Sequence, residues 1–596
     1  MSAASYLLPA RRAGALREVD YYLATHLLAL VDCTTPSVAL AVAALSKALG
    51  EGSSCLALPQ LASGILLIRE PAPDAAGQAF TGLPAPPLAE WRAALEASRL
   101  VAPSPSLAAG YPLVLDAAHR LYFNRHFNQE RRVAESLAAR AQARPYADAS
   151  TTRIEAALDR EFPPGAHDPD QRAAVRLALE RPFAVITGGP GTGKTTTVAR
   201  LLALMAALGR PDELPTILAA PTGKAANRLV ESIAAAGEHL RAAGTPAADL
   251  ARIPGEARTL HRLLGMRAGR QGPRYHGGNP LPLGVLVIDE ASMVDLNMMA
   301  RVLEALPSQA RLVLLGDADQ LASVEAGAVL GDLCEAARLG DHAYLSALTH
   351  SHRFREDGGI GRLAGAIRTG DLEATVAALA EDVDTRLDAG GLAALAARAI
   401  PAWRDYLTAG NPAEALAGFG RFRVLCALRE GAQGVGGVTS LLEHALAAVG
   451  LIAPVDRYYR GRPVIVTAND YTVELFNGDV GLLWPDAAGV MRAWFPGAQG
   501  EPRAVPINRL PAHETAYAMT VHRAQGSEFD EVALVLPNHE SAVLTRELLY
   551  TAVTRARHTV VIHASSPVLA MALGRPVARA SGLRDALLQS LQAARD

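Results

Sequence analysis

Cysteine is scarce in this chain. Only four occur in 596 residues, Cys33, Cys55, Cys334 and Cys426, and no two are spaced as CxxC. That argues against a zinc site, an iron–sulfur cluster and a disulfide framework, and leaves small apolar side chains destined for burial. Long hydrophobic runs are missing too. Stretches such as 284–288 and 311–315 are strand-sized, well short of the roughly 20 residues that cross a bilayer. The N-terminus, MSAASYLLPARRAGALREVD, carries charge early and has no long apolar core, so it does not read as a secretory signal. A cytoplasmic protein with no membrane association is expected. Neither sign of charge dominates: 57 Lys and Arg stand against 60 Asp and Glu, a net charge of −3. Coating a duplex needs a basic excess, whereas a narrow channel gripping a few phosphates does not. Overall charge is therefore uninformative, and function has to be read from sites.

The length suits three or four domains. Residues 1–150 mix helices and short strands, with a helix over 37–49, a strand over 121–123 beside Arg120 and Arg125, a basic amphipathic stretch over 131–144 and loops in the Pro/Ala clusters of 71–87. This segment, mainly helical, is a docking domain or a structural cap; composition does not separate the two. Across 151–355, short aliphatic runs at 183–187, 216–220, 285–289 and 312–316 alternate with helical segments. Such alternation predicts a parallel sheet with helices on both faces. Residues 265–283 (GMRAGRQGPRYHGGNPLPL) break the rhythm and read as an inserted loop or hairpin. A second α/β region, 356–596, carries strands at 422–427, 532–536 and 559–563. It is interrupted over 456–512 by runs at 463–467, 480–484 and 491–495 around an Asn477-Gly478-Asp479 turn, the pattern of a small SH3-like β-barrel. The fold class expected is α/β: two lobes with parallel sheets, a barrel insertion and an N-terminal domain.

The chemistry begins at Gly188-Gly189-Pro190-Gly191-Thr192-Gly193-Lys194-Thr195-Thr196, which follows a strand and opens a helix. Glycines let backbone N–H groups curl round phosphates, and the helix N-terminus adds partial positive charge. Lys194 reaches the β- and γ-phosphates of ATP and Thr195 joins the Mg2+ shell. Asp289 and Glu290 end a buried strand about a hundred residues later, Asp289 to partner the Mg2+ and Glu290 to serve as general base; alone, such a strand end is also a common helix N-cap. Gln320 closes the next strand with an amide able to donate and accept near a γ-phosphate, though a turn rich in Asp is the plain alternative. Gln171, just ahead of a helix, is placed to pair with an adenine edge; taken alone this is weak.

The ordered set of these motifs resembles one family. It comprises Gln171, GGPGTGKTTT (188–197), APTGKAA (220–226), TLHRLLG (259–265), VIDEASM (287–293), LLGDADQLASVEAG (314–327), HSHRF (350–354), MTVHRAQGSEFD (519–530) and YTAVTRARH (550–558), with HRLYFNR (119–125) upstream. The resemblance is to superfamily 1 helicases that move 5′ to 3′, and within them to the RecD family, alpha subunits of exodeoxyribonuclease V. It implies two RecA-like P-loop lobes, DNA repair and recombination as the setting, single-stranded DNA and duplex ends as ligands, and the beta and gamma subunits, RecB and RecC, as partners. Added N-terminal helix-hairpin-helix units, seen in stand-alone RecD-like helicases, do not occur. That favours the complex-bound subunit, with the stand-alone helicase as the alternative.

The resemblance also implies roles. Arg353 and Arg555 become arginine fingers reaching from the second lobe to the γ-phosphate, and Glu528 a nucleotide-binding position. Thr222, Lys224, Thr259 and His261 on lobe one, with Thr520, His522 and Gln525 on lobe two, become DNA contacts. Short hydroxyls and imidazoles hold phosphates and sugars without reading bases. The insertion at 265–283 becomes a strand-separating pin and the barrel a clamp. No acidic-plus-lysine metal cluster lies apart from the ATPase residues, so nuclease activity belongs to a partner.

Overall fold

The computed structural model describes residues 2–68, 80–143, 151–162, 169–208, 215–267, 272–340, 343–353, 358–470, 472–497 and 501–593. Phe354 of the HSHRF set, Arg144, most of the 71–87 loops, residues 268–271 of the expected pin, and Tyr471 and 498–500 of the expected barrel lie outside them.

Lobe one is built on six parallel strands in the order Leu345–Leu348, Phe183–Gly188, Arg311–Gly316, Val285–Ile288, Thr216–Ala220, Ala257–Thr259. Their apolar runs are continuous because both faces are covered. Leu286, Ile288, Leu312 and Leu314 enter one core, while Val285, Val287, Val313 and Leu315 enter the other, the period of two that a pleated strand imposes. Parallel register (Leu312 opposite Phe183, Gly316 opposite Thr187) brings the carboxyl ends of these strands to one edge.

Lobe two repeats the plan with five parallel strands: Thr385–Asp388, Ala556–His563, Phe529–Val535, Phe422–Cys426, Ala518–Thr520. Its sheet likewise divides two cores, with Leu425, Val532 and Leu534 on one side and Val424, Ala533 and Val535 on the other. The insertion is a five-stranded antiparallel sheet in the order Pro502–Pro506, Met491–Pro496, Val480–Pro485, Pro463–Val466, His513–Thr515. It has its own core of Val464, Val466, Leu475, Leu483, Ala493, Phe495 and Val505. The sequence reading missed Pro502–Pro506 and His513–Thr515, both short and the first bounded by prolines. The sheet therefore runs past the expected limit at 512. Among the described residues the 265–283 insertion holds an isolated bridge, His276 to Asn279, and no longer strand.

Residues 2–122 pack the helices Ala3–Arg12, Glu18–Ala29, Pro36–Gly50 and Leu88–Ala97 around Leu7, Trp91 and the buried stretch from Val38 to Leu45. A three-stranded sheet of Leu56–Ala57, Arg120–Phe123 and Leu113–Leu115 completes this unit. Two helices depart from the expected divisions. Asn124–Gln142, expected within the N-terminal domain, contributes Val133, Ala134 and Leu137 to the core of lobe one. So does Leu583–Ala593, expected in lobe two, through Leu583, Leu587 and Leu591. The Arg140 guanidinium, buried, donates to the carbonyls of Leu306 at 3.0 Å and Pro307 at 2.8 Å, closing the carboxyl end of the helix Leu296–Ala305. Neither attachment is visible locally, because each rests on an apolar stripe meeting a distant one. Cys55, Cys334 and Cys426 are buried, and all four cysteines are free thiols.

Candidate active site

The strand Phe183–Gly188 delivers the chain into a loop where Gly191 and Gly193 both adopt φ +78°, a conformation that costs glycine little and other residues much. The helix Lys194–Ala207 starts directly after. Lys194 Nζ is folded back on the loop, donating to the carbonyls of Gly188 at 2.6 Å and Gly189 at 2.9 Å. It thus sits where phosphate oxygens would replace those carbonyls. Gln171 is 4% exposed. Its Nε2 donates to the Thr192 carbonyl at 3.4 Å and meets His352 Nε2 at 3.1 Å, and its Oε1 accepts from Arg200 Nη1 at 3.1 Å. These contacts brace the loop.

Asp289 and Glu290 leave the strand Val285–Ile288 at the same edge. Asp289 Oδ1 accepts the Glu290 N–H at 2.8 Å. Glu290 holds φ 51°, ψ 42°, a strained conformation for a residue with a side chain and one that recurs at active sites. Burial above all, with the adjacent Glu290 charge, pushes Asp289 up to about 6. Gln320 is buried beside them. Its Nε2 donates to Asp317 Oδ2 at 2.8 Å, and Tyr550 of lobe two donates to the same oxygen at 3.2 Å. Among the described residues the Gln320 amide oxygen has no hydrogen-bond partner.

Both expected arginine fingers line this cleft of about 620 Å³ together with Lys194, Asp289, Glu290 and Gln320. One expectation changes. Arg353 does not come from the second lobe. The strand Leu345–Leu348 pairs with Phe183–Gly188, so the following segment lies on the P-loop, with the His352 N–H donating to the Gly191 carbonyl at 2.8 Å and Ser351 Oγ to that of Pro190 at 3.2 Å. Lobe two supplies Arg555, 4% exposed, whose Nε donates to the Thr551 carbonyl at 3.1 Å. Glu528, also from lobe two, accepts from Arg353 at 2.5 Å and pairs with Arg228 and Arg557 at 3.3 Å. Burial pushes its carboxyl up, but Arg353, Arg228, Arg557 and Arg555 together hold it below its ordinary value.

Arg228, Arg200 and His352 escaped the sequence reading, and each lines the cleft. Arg228 had one legible signal: it stands four residues after Lys224 on the helix Gly223–Ala242 and so shares its face.

The expected DNA residues fall into two groups. Thr259 ends the strand Ala257–Thr259, opposite Ala220 of the strand that Thr222 follows, so Thr222, Thr259 and the exposed His261 lie at one edge of lobe one. Thr222, Thr259 and Thr520 each accept a backbone N–H three residues on, at 3.2, 3.2 and 3.3 Å. They act as caps of the turns they open, and their hydroxyl protons remain for a ligand. His522 is lowered by burial and by Arg579. Two expectations fare differently. Gln525 is 8% exposed and its Nε2 donates to the Leu321 carbonyl of lobe one at 2.9 Å, which commits it to the seam. Lys224 faces a separate cavity between the lobes. No helix among the described residues is long and apolar enough to cross a membrane.

Three stretches match family models: the N-terminal domain of RecBCD enzyme subunit RecD over residues 12–122, an AAA domain over 166–387 and a UvrD-like helicase C-terminal domain over 515–563. RecBCD enzyme subunit RecD of Mycobacterium tuberculosis (strain ATCC 25618 / H37Rv) is 42% identical over 585 residues, 96% of this chain and 95% of that one. The chain belongs to the RecD family. The Mycolicibacterium smegmatis member is 41% identical over 96% of this chain and 97% of its own. The ATP-dependent RecD2 DNA helicase of Deinococcus radiodurans is 33% identical over 65% of this chain and only 47% of its own. These two RecD subunits are thus covered over 95% and 97% of their lengths, and the RecD2 helicase over less than half of its own. The chain is a DNA helicase of the nucleotide-hydrolysing P-loop class, with the α/β two-lobe architecture of that class and an N-terminal domain of the RecD type.

Proposed function

We propose that the chain is the alpha subunit of exodeoxyribonuclease V, an ATP- and Mg2+-dependent motor that moves 5′ to 3′ on single-stranded DNA and works in double-strand break repair. It acts in the cytoplasm with RecB and RecC, which contribute the nuclease. The observation that carries the motor reading is the meeting in one cleft of Lys194, Asp289, Glu290 and Arg353 from lobe one with Arg555 and Glu528 from lobe two. A nucleotide seated there touches both lobes, so its hydrolysis can change their separation.

The residues fit Mg2+. Asp289 is a half-buried carboxylate pushed up by desolvation and then by the acid beside it, a position that favours a cation. One carboxylate, the Thr195 hydroxyl and nucleotide phosphates form the sparse oxygen set this ion takes. When bound, Mg2+ neutralises charge developing on the phosphates. Lys194 leaves its loop carbonyls to hold the β- and γ-phosphates. Glu290 takes a proton from the attacking water, and the Gln320 amide oxygen accepts from that water. Arg353 and Arg555 stabilise charge on the γ-phosphoryl group, and Arg555 makes that stabilisation depend on lobe closure. Alternating grip by Thr222, Thr259 and His261 on one lobe and Thr520 and His522 on the other turns closure into steps. The 265–283 loop serves as the pin, the small sheet as the clamp and the N-terminal domain as the docking unit.

The test is unwinding of 5′-tailed and 3′-tailed duplexes, with and without RecB and RecC. Preference for the 5′ tail and loss of activity in Lys194→Gln are expected. Preference for the 3′ tail by the isolated chain overturns the polarity. Failure to co-purify with RecB and RecC, with full activity alone, returns the stand-alone reading.

A further inference from the structure

A second cavity at the seam, about 710 Å³, adjoins the nucleotide cleft, and Arg228 and Glu528 line both. Its walls come from the helix Gly223–Ala242 of lobe one, from the amino ends of the strands Phe422–Cys426 and Phe529–Val535 of lobe two, and from the small sheet. Three donors on these walls lack hydrogen-bond partners among the described residues. Arg423 is 3% exposed, yet its Nε and Nη1 form no hydrogen bond among the described residues; the rings of Phe419, 4.0 Å away, and Phe529, 5.0 Å away, flank the guanidinium. Ser527 is 4% exposed and its hydroxyl is unpartnered. Lys224 forms no hydrogen bond or ion pair among the described residues. Burial, then the charges of Arg423 and Arg228, push its ammonium down to about 8.

Of the four acids at this cavity, Glu528 serves Arg353 and Arg228, Glu474 lies 3.5 Å from Arg503, Asp479 accepts the Phe476 N–H at 2.8 Å and its charge acts on Lys224, and Glu231 stands at the wall. A buried guanidinium with unpaired N–H groups and a buried unpaired hydroxyl are costly, and Lys224, half-buried near Asp479, adds a second cation. A tetrahedral oxyanion offers the acceptors that such donors lack, through charge-assisted hydrogen bonds.

We propose that this cavity is a product-phosphate site, where orthophosphate leaving the nucleotide cleft is held between Lys224 of lobe one and Arg423 of lobe two with a hydrogen bond from Ser527. The inference rests on the ATPase reading above. Arg228, one turn after Lys224 and present in both cavities, is the step between them. The Ser527 carbonyl accepts from Arg555 Nη1 at 3.4 Å, so the site adjoins the guanidinium that senses the γ-phosphate. An anion bridging the lobes holds the cleft shut, and its departure precedes reopening.

The experiment is calorimetric titration of inorganic phosphate into the intact chain. Binding is expected to survive in Lys194→Gln, which loses nucleotide binding, and to weaken at least about tenfold in Arg423→Met. Ser527→Ala, too small a change to threaten folding, is expected to weaken it about threefold or more while single-stranded DNA affinity stays within about twofold. Unchanged phosphate binding in Arg423→Met and Ser527→Ala overturns the proposal. Loss of phosphate binding in Lys194→Gln alone places the anion in the nucleotide cleft and also overturns it. Displacement of phosphate by an oligothymidylate, with DNA binding weakened in Ser527→Ala, assigns the cavity to a DNA phosphodiester instead. If Lys194→Gln keeps its ATPase, the ATPase reading fails, whatever the titration gives.

Discussion

The Arg353 guanidinium of lobe one is closed on the Glu528 carboxylate of lobe two, Nη2 to Oε1 at 2.5 Å, inside the cleft where a γ-phosphate would sit. Carboxylate and phosphate are alternative partners for the same planar fork of donors. Glu528 therefore competes with the nucleotide for the guanidinium as well as lying near its binding site.

That competition gives Glu528→Gln a direction. Removing the charge weakens the hold of this side chain on Arg353 and Arg228, so the ATPase rate without DNA is expected to rise a few-fold while the DNA-stimulated rate changes less. Arg353→Ala removes the finger itself and is expected to lower kcat by on the order of 10³. Steady-state ATPase assays with and without oligothymidylate separate the two. A fall in the DNA-free rate of Glu528→Gln would show that its contact with nucleotide outweighs its hold on Arg353.

Gly191 makes the P-loop sensitive to a single methyl group. Its φ is +78°, and a Cβ built there lies 2.2 Å from Arg353 Cβ. Gly191→Ala thus carries both backbone strain and a clash with the segment that bears the finger. ATPase activity is expected to fall at least about a hundredfold with loss of on the order of 1–3 kcal/mol of stability. Urea unfolding alongside turnover checks this. A variant with normal turnover would mean that the 350–353 segment moves aside freely.

What the sequence disclosed follows from how local each signal is. The P-loop, Asp289–Glu290 and the continuous strands were legible because phosphate cradles and doubly covered strands dictate residue types over short windows. The partners of Arg353 were not, since its place on lobe one depends on Leu345–Leu348 pairing with Phe183–Gly188, some 160 residues away. Arg228 and Ser527 look like an ordinary helix arginine and loop serine until the lobes come together around them. The terminal helix Leu583–Ala593 was assigned by sequence proximity to lobe two, whereas its apolar stripe matches that of lobe one.

Gln525 tests whether a residue near the DNA face couples the lobes or touches DNA. It is buried and donates to the Leu321 carbonyl across the seam at 2.9 Å, while the Leu321 N–H donates to Thr551 Oγ1 at 2.9 Å. Gln525→Ala leaves that carbonyl unpaired, a loss of about 1–3 kcal/mol in seam stability. Stimulation of the ATPase by DNA is expected to drop about tenfold, with single-stranded DNA affinity by fluorescence anisotropy nearly unchanged. Parallel losses in both would return Gln525 to the DNA contacts.

Asp332 predicts how stability follows pH where the carboxyl-terminal segment docks. Ser581 Oγ donates to Asp332 at 2.8 Å and to Glu130 at 3.1 Å, and the Gly582 N–H donates to Glu130 at 3.1 Å. Burial above all, with the charges of Glu130 and Glu335 and against the Ser581 hydrogen bond, pushes Asp332 up to about 7 from an ordinary 3.8. The folded state therefore binds this proton more tightly than the unfolded chain. The resulting stabilisation is complete below the ordinary value and is lost as pH rises to about 7. Asp332→Asn keeps an acceptor for Ser581 and removes the charge. The variant is expected to gain on the order of 2–4 kcal/mol over the parent at pH 8, and much less near pH 5. Urea midpoints at both values decide it: if the gap between variant and parent fails to widen from pH 5 to pH 8, ionised Asp332 is tolerated at this junction and the docking of Leu583–Ala593 carries no such pH dependence.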